Sequence, residues 1–156
     1  VTPDKKAILY KNKKVIWTQI LPELPRDFLV TNNGKRAIMV ENYYGNKHDA
    51  TKKVLIFFDE NGQEVSNYNL ENLADIKNVL HTTSSSHWLS EYKFNSEENE
   101  IIIDTVVLTC PLLERVSTDE DMKKVNECIK PKPFERILFS TVDGKILSRL
   151  KIENVQ

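Results

Sequence analysis

Residues 52–70 read KKVLIFFDENGQEVSNYNL, and this stretch indicates the fold of the whole chain. The run from Val54 to Phe58 is apolar on both alternating faces, which is typical of a strand covered on both sides. Asn61-Gly62 then favours a tight turn, because glycine adopts a positive φ angle without a steric penalty. A second, more polar run follows the turn. The stretch therefore predicts a β-hairpin with a buried first strand.

This hairpin is the second half of a pattern that occurs twice in the chain. The first copy is FLVTNNGKRAIMVENYY (28–44) and then the hairpin itself. The second copy is YKFNSEENEIIIDTVVL (92–108) and then FERILFSTVDGKILSRLKI (134–152). The pattern predicts two four-stranded antiparallel meanders, which span residues 27–70 and 88–152, and the second meander carries an insert at residues 110–133.

The turn residues support this alignment of the two copies. Gly62 and Gly144 fall at the same point of each copy, and Phe57 and Phe139 each lie five residues before those glycines. Asn33-Gly34 supplies a further turn in the first copy. We therefore expect hairpin turns at Gly34, Gly62 and Gly144, each with a positive φ angle.

Three further elements follow from apolar periodicity. Residues 5–20 predict another hairpin, with Val15 and Trp17 on one face and Ile16, Thr18 and Ile20 on the other. In the last strand the pattern places Ile146, Leu150 and Ile152 on one shared face. Two short helices are predicted, one over residues 70–80 with Asn69 as its N-cap and one over residues 119–129 within the insert.

The succession of hairpins with glycine-bearing turns resembles the blades of a β-propeller, over nearly all of residues 27–152. The phrases LPELP (21–25) and TTSSSHW (82–88) are similar to those of uncharacterised exported bacterial proteins, a resemblance that implies no activity. A closed propeller needs about four or more blades. The chain is therefore expected to be mainly β, with its two meanders packed as a sandwich or as a partial propeller. We favour the packed pair, with the helices and the first hairpin covering sheet edges.

Length and charge limit the classes of function. The chain of 156 residues fits a single β domain over residues 1–156. Its 22 basic and 23 acidic side chains are interspersed, which gives no support to a nucleic-acid partner. The longest apolar runs are strand-sized, so we predict no membrane span. The phosphate-binding glycine motifs are absent, and the three histidines and two cysteines are scattered, so we predict no cofactor and no metal site.

The two cysteines, Cys110 and Cys128, bracket the insert. They either form one disulfide in an oxidising compartment or are two buried thiols in the cytosol. The chain also begins VTPDKK, without an initiator Met, as a trimmed chain or a mature exported protein does. We expect the disulfide and a periplasmic or secreted location, with the cytoplasm as the alternative.

Two loops contain the candidate functional residues. The first loop presents Tyr43, Tyr44, His48 and Asp49, which suit a binding surface between strands. The second loop, HTTSSSHW at residues 81–88, contains His81, Ser86 and His87. A serine of residues 84–86, with His81 or His87 as its base, provides the nucleophile and the base that acyl transfer requires. This chemistry also needs an orienting carboxylate and an oxyanion hole.

We therefore expect a non-enzymatic binding module for an unknown protein or glycan, and we assign no catalytic residue. Two alternatives stay open. The first is a hydrolase that uses a Ser/His pair of the 81–88 loop. The second is a structural fragment of a larger propeller.

Overall fold

A computed structural model of the chain describes residues 5–21, 25, 27–41, 51–74, 80–81, 86–107, 120, 123 and 132–152. Within these ranges the chain is built mainly of β-strands, with one short helix. The elements are β1 (Lys6–Lys11), β2 (Lys14–Ile20), β3 (Asp27–Val30), β4 (Ala37–Val40), β5 (Lys53–Phe58), β6 (Glu64–Asn69), α1 (Leu70–Leu73), β7 (Leu80–His81), β8 (Ser86–His87), β9 (Leu89–Phe94), β10 (Glu100–Val107), β11 (Lys132–Ser140) and β12 (Ile146–Lys151).

Two four-stranded antiparallel meanders form the body of the molecule. Sheet 1 has the order β3-β4-β5-β6 and sheet 2 the order β9-β10-β11-β12. Strands β1 and β2 form a separate hairpin, and β7 and β8 form a second, two-residue ladder. The predicted mainly β fold with two four-stranded meanders is confirmed.

Sheet 1 is the middle layer and is covered on both faces. On one face Ile38 and Phe57 pack in a cluster with Ile101 and Phe139 of sheet 2. On the other face Ala37, Met39, Ile56 and Phe58 pack with Ala7 and Trp17 of the β1–β2 hairpin. As predicted, Val54 to Phe58 of β5 are almost fully buried, with exposed fractions of at most 2%. The hairpin covers a face of sheet 1, so the expectation that it covers a sheet edge is wrong.

The same irregularity occurs in three hairpins, where the pairing skips one residue of the second strand. The skipped residues are Ile16 in β2, Val65 in β6 and Leu147 in β12. On the turn side of the skip, one pair remains in β5–β6 and in β11–β12, and two pairs remain in β1–β2. By this register β1–β2 is the equivalent of β5–β6 and of β11–β12.

The register also shows which faces of the two sheets are equivalent. Ala37 and Ile101 are equivalent, because each belongs to the pair next to the turn that joins the first two strands of its sheet. Ala37 pairs on its other side with Phe58, and Ile101 pairs with Phe139. Phe58 is therefore the equivalent of Phe139, because the second turn (140–145) is one residue longer than the first (59–63). Phe58 faces the hairpin and Phe139 faces sheet 1. The hairpin, sheet 1 and sheet 2 thus stack head to tail, with the same face always directed toward the preceding unit.

The predicted turn glycines have the expected backbone conformation. The φ angles of Gly34, Gly62 and Gly144 are +71°, +77° and +69°. Two of these glycines also sit against the preceding unit. A Cβ at Gly62 would lie 2.8 Å from Cδ2 of Trp17, and a Cβ at Gly144 would lie 2.8 Å from Cδ2 of Phe57. The turns therefore need glycine for their close approach as well as for their conformation.

The first predicted helix is shorter than expected. It begins after Asn69, as predicted, and the Asn69 N–H donates to Oδ1 of Asn72 at 3.0 Å. It ends at Leu73, because Ala74 has extended backbone angles. Of the second predicted helix, the described residues Glu120 and Lys123 have helical backbone. Cys110 and Cys128 lie outside the described residues, so the disulfide and the compartment that it implies stay predictions.

Candidate functional site

The turns of both meanders lie at one end of the sheets, which we call the turn edge. In a meander every second connection returns to the same end. The turns at this edge are the tip of the β1–β2 hairpin, residues 31–36 and 59–63 of sheet 1, and residues 95–99 and 141–145 of sheet 2. The end of β4, the start of β5, the end of β10 and the start of β11 lie at the opposite end of the sheets. The turn edge is therefore the end of the molecule whose connections are described in full.

A cleft of about 460 Å³ opens at the turn edge between the β1–β2 hairpin and sheet 1. We call it the turn-edge cleft. Three segments line it, namely the end of β1–β2, the β3–β4 turn and the β5–β6 turn. Its apolar lining is Leu9, Tyr10, Ile16 and Val30, and its charged lining is Lys11, Lys35 and Glu60.

The apolar side chains of the cleft are unusually open to solvent. The exposed fractions are 58% for Tyr10, 47% for Ile16 and 38% for Val30. Single exposed apolar residues are common on protein surfaces, whereas a contiguous group marks an interaction site. Here three exposed apolar residues contribute to the lining of one concavity, which makes it a candidate interaction site.

The β3–β4 turn is a well-braced wall of the cleft. Oδ1 of Asn33 accepts hydrogen bonds from the Thr31 hydroxyl and from the Lys35 N–H, both at 2.8 Å. The Gly34 N–H donates to the Thr31 carbonyl at 2.8 Å. Sheet 2 holds the same turn from outside, because the Glu98 carboxylate accepts from the Asn32 N–H at 2.6 Å and from the Asn32 side-chain amide at 2.5 Å. This wall is organised before any ligand binds.

The β5–β6 turn forms a second wall through one carboxylate. Oδ1 of Asp59 accepts from the Asn61 N–H at 2.9 Å and from the Gln63 N–H at 2.8 Å. Burial raises the pKa of Asp59, but these hydrogen bonds to the charged form outweigh it and the pKa lies below its usual value. The ionised carboxylate therefore fixes the turn, and it holds Glu60 and Asn61 at the rim of the cleft.

Of the sequence-predicted site residues, one group lies outside the described residues. These are Tyr43, Tyr44, His48 and Asp49, in the loop between β4 and β5. That loop connects the strand ends opposite the turn edge.

The second group is brought together by its backbone. His81 pairs with Ser86 across the β7–β8 ladder, and Leu80 pairs with His87. Directly paired residues have Cβ atoms roughly 5 Å apart. The side chains of His81, Ser86 and His87 lie outside the described part of the structure, so the predicted Ser/His pair stays a prediction. The adjacent Trp88 is fully buried and its indole N–H donates to the Glu41 carbonyl at 2.6 Å, so Trp88 belongs to the core.

Sequence reasoning missed Tyr10 and Ile16 as site residues. The pattern placed Ile16 opposite Trp17, and Ile16 is exposed. The predicted shared face of Val15 and Trp17 is wrong, because the skip at Ile16 reverses the alternation: Trp17 pairs with Leu9 and is buried, whereas Val15 pairs with Tyr10 and is 55% exposed. The signal that could have found the site was the presence of apolar residues on both faces of this hairpin, since only the face with Trp17 packs on sheet 1. Within the described ranges, no group of three or more His, Cys, Asp or Glu side chains is placed to hold a metal ion.

The described helical residues include no helix with the length and apolar character that a membrane crossing requires. Comparisons of the chain with family models, curated proteins and solved structures found no match.

Proposed function

We propose that this protein is a non-enzymatic interaction module that binds a partner protein in the turn-edge cleft. The observation that supports this proposal is the exposed apolar group of Tyr10, Ile16 and Val30 in a concavity. Its walls are turns held by hydrogen bonds, which lowers the conformational entropy that a ligand must remove on binding. An aromatic anchor with aliphatic neighbours is the composition of an interface hot spot.

The lining favours a protein over a glycan. Two of the three exposed apolar side chains, Ile16 and Val30, are aliphatic, and they suit an apolar side chain of the partner. Lys11 and Lys35 bring two positive charges to the cleft against the single negative charge of Glu60. The partner segment is therefore expected to combine an apolar side chain with acidic neighbours.

We further infer that the stacked units are blade-like, with β1–β2 as half a unit. The repeated skipped residue and the shared facing direction support this interpretation. The two outer faces of the stack differ from the inner ones. Lys13 stands where Gly62 and Gly144 stand in the other hairpins, and Asp104 and Arg136 stand where sheet 1 has Val40 and Leu55. A bulky or charged residue at such positions opposes packing of a further identical unit, which disfavours the larger-propeller alternative.

The test starts from random peptides displayed on phage and selected on the full chain. We expect the selected peptides to share an apolar residue with acidic neighbours. Calorimetric titration should show at least tenfold weaker binding to the Tyr10→Ala variant, because the anchor of the site is removed. Leu147→Ser is the control, since Leu147 is also an exposed apolar residue but lies in β12.

Two outcomes would contradict the proposal. One is selected peptides whose affinity is the same for Tyr10→Ala and for the unmodified chain. The other is a selection that converges on no sequence. A glycan array probed with the same variants tests the other ligand class, and Tyr10-dependent glycan binding would replace a protein partner by a carbohydrate.

A further inference from the structure

Among the described strands, the β1–β2 hairpin has no counterpart of the first two strands of the complete units. In those units the strand equivalent to β1 is paired on both edges, because β5 lies between β4 and β6, and β11 lies between β10 and β12. Among the described strands, β1 pairs only with β2. Its second edge therefore faces the place that β4 and β10 fill in the complete units.

We propose that this edge of β1 binds an extended strand of the partner protein, antiparallel to β1 and in the place that β4 and β10 have in their sheets. Such strand addition joins backbone N–H and C=O groups of two chains, while side-chain pockets give specificity. This inference rests on the proposed binding function, because the end of the added strand would lie in the turn-edge cleft.

The internal ladders predict which side chains the added strand needs. By equivalence with β5, its residue opposite Leu9 takes the place of Ile38, which pairs with Phe57 and faces the next unit. For the hairpin the next unit is sheet 1, whose Phe28 is only partly buried. The residue opposite Leu9 should therefore be apolar and cover Phe28. Its two neighbours would point to the open side, beside the exposed ring of Tyr10.

The position of the cleft agrees with this geometry. Between sheets 1 and 2 the β3–β4 turn lies against the β9–β10 turn, where Asn32 binds Glu98 at 2.6 Å. Between the hairpin and sheet 1, the β3–β4 turn faces the end of β1 instead of another turn of this kind. The cleft occupies the place where such a turn of the hairpin unit would lie. The cleft is thus the place for the tip of an added strand or hairpin.

A synthetic peptide of residues 89–105, LSEYKFNSEENEIIIDT, is a suitable probe. It carries β9 and residues 100–105 of β10, and β10 pairs in the native fold with β11, the equivalent of β1. Amide hydrogen exchange is measured by NMR on the labelled full chain with and without the peptide. We expect exchange at one or more amides between Ile8 and Tyr10 to slow at least tenfold. The same peptide with Ile102→Pro and Ile103→Pro should slow none of them, because proline removes the N–H groups that pair.

Unchanged exchange in β1, or equal protection by the proline peptide, would overturn strand addition. Failure of this inference can be separated from failure of the proposed function. If phage-selected peptides bind through Tyr10 without protecting β1 amides, the binding function stands and strand addition is wrong. If no peptide binds through Tyr10, the proposed function itself is wrong.

Discussion

Gly144 and Phe57 belong to different sheets and approach each other so closely that a side chain at Gly144 would overlap the phenyl ring. The Cβ of an alanine would lie 2.8 Å from Cδ2 of Phe57 and 2.7 Å from Oγ of Ser66. The Tyr68 hydroxyl also donates to the Gly144 carbonyl at 2.8 Å. This turn therefore joins sheet 2 to sheet 1.

The first prediction compares two glycines with the same backbone conformation. Gly144→Ala should lower the free energy of unfolding by about 2–4 kcal/mol, since it adds overpacking to the strain of a positive φ angle. Gly34→Ala is the control, because Gly34 has φ +71° and no atom lies within 4 Å of its added Cβ. It should cost about 1 kcal/mol. Urea unfolding measures both, and equal losses would show that the contact with Phe57 is absent.

The second prediction concerns the tip of the β1–β2 hairpin. Asn12 and Lys13 both have positive φ angles, of 51° and 65°. Lysine is strained in this conformation, whereas Asn-Gly is the preferred pair for such a two-residue turn. Lys13→Gly should therefore raise the free energy of unfolding by about 1 kcal/mol. Lys35→Gly, a lysine of the β3–β4 turn without a positive φ angle, should not stabilise the chain. A destabilised Lys13→Gly variant would contradict the turn geometry.

The third prediction concerns the ion pair on the outer face of sheet 2. Arg136 donates two hydrogen bonds of 2.8 Å to Asp104, whose side chain is only 7% exposed. Arg136→Met would leave this carboxylate without its partner and should cost about 1–3 kcal/mol, reduced from the value for a fully buried pair because Arg136 is 44% exposed.

A double variant provides the control for this pair. Asp104→Val with Arg136→Leu copies Val40 and Leu55, the equivalent pair of sheet 1. Replacing both charges by packed apolar groups should restore most of the stability. If thermal unfolding shows the double variant to be less stable than Arg136→Met, the assigned equivalence of the two sheets is wrong.

The fourth prediction is a pH dependence in the β11–β12 turn. Hydrogen bonds from Lys145 and Ser140 lower the pKa of Asp143 from its usual 3.8 to about 2. Because the folded pKa is the lower one, this carboxylate contributes stability above about pH 4 and loses it as the pH falls through about 2. Carbon-13 NMR of the side-chain carboxyl should show the midpoint near 2. A midpoint near 4 would contradict the hydrogen-bonded turn, and Asp143→Asn should remove this part of the acid dependence.

The strands and turns could be predicted from sequence because their signals are local. Apolar runs such as Val54 to Phe58 and the glycines after Asn33, Asn61 and Asp143 each act within a few residues. The direction in which side chains point could not be predicted everywhere. The skipped residue Leu147 reverses the alternation in β12, so Ile146 pairs with Phe139 toward sheet 1 while Leu150 pairs with Arg136 on the outer face. The predicted shared face of Ile146 and Leu150 is therefore wrong.

The candidate site was harder to predict than the fold. Val15 and Ile16 have the sequence pattern of ordinary strand residues. No local pattern shows that both side chains are exposed in the described part of the structure. The helix predicted over residues 70–80 was too long for a similar reason. Leu70 and Leu73 have helical spacing, but both are buried in the main core and the chain continues extended from Ala74. Tertiary packing decided both the exposed face of the hairpin and the length of the helix, and the periodicity of the sequence does not show tertiary packing.

The most direct test of the proposed binding site is an NMR titration of the labelled full chain with a peptide selected on it. Binding in the turn-edge cleft predicts that the largest shift changes fall on Tyr10, Ile16 and residues 30–35, and that Leu147 and Leu150 stay unchanged. Shift changes confined to the outer face of sheet 2, or to the end of sheet 1 opposite the turn edge, would contradict the account.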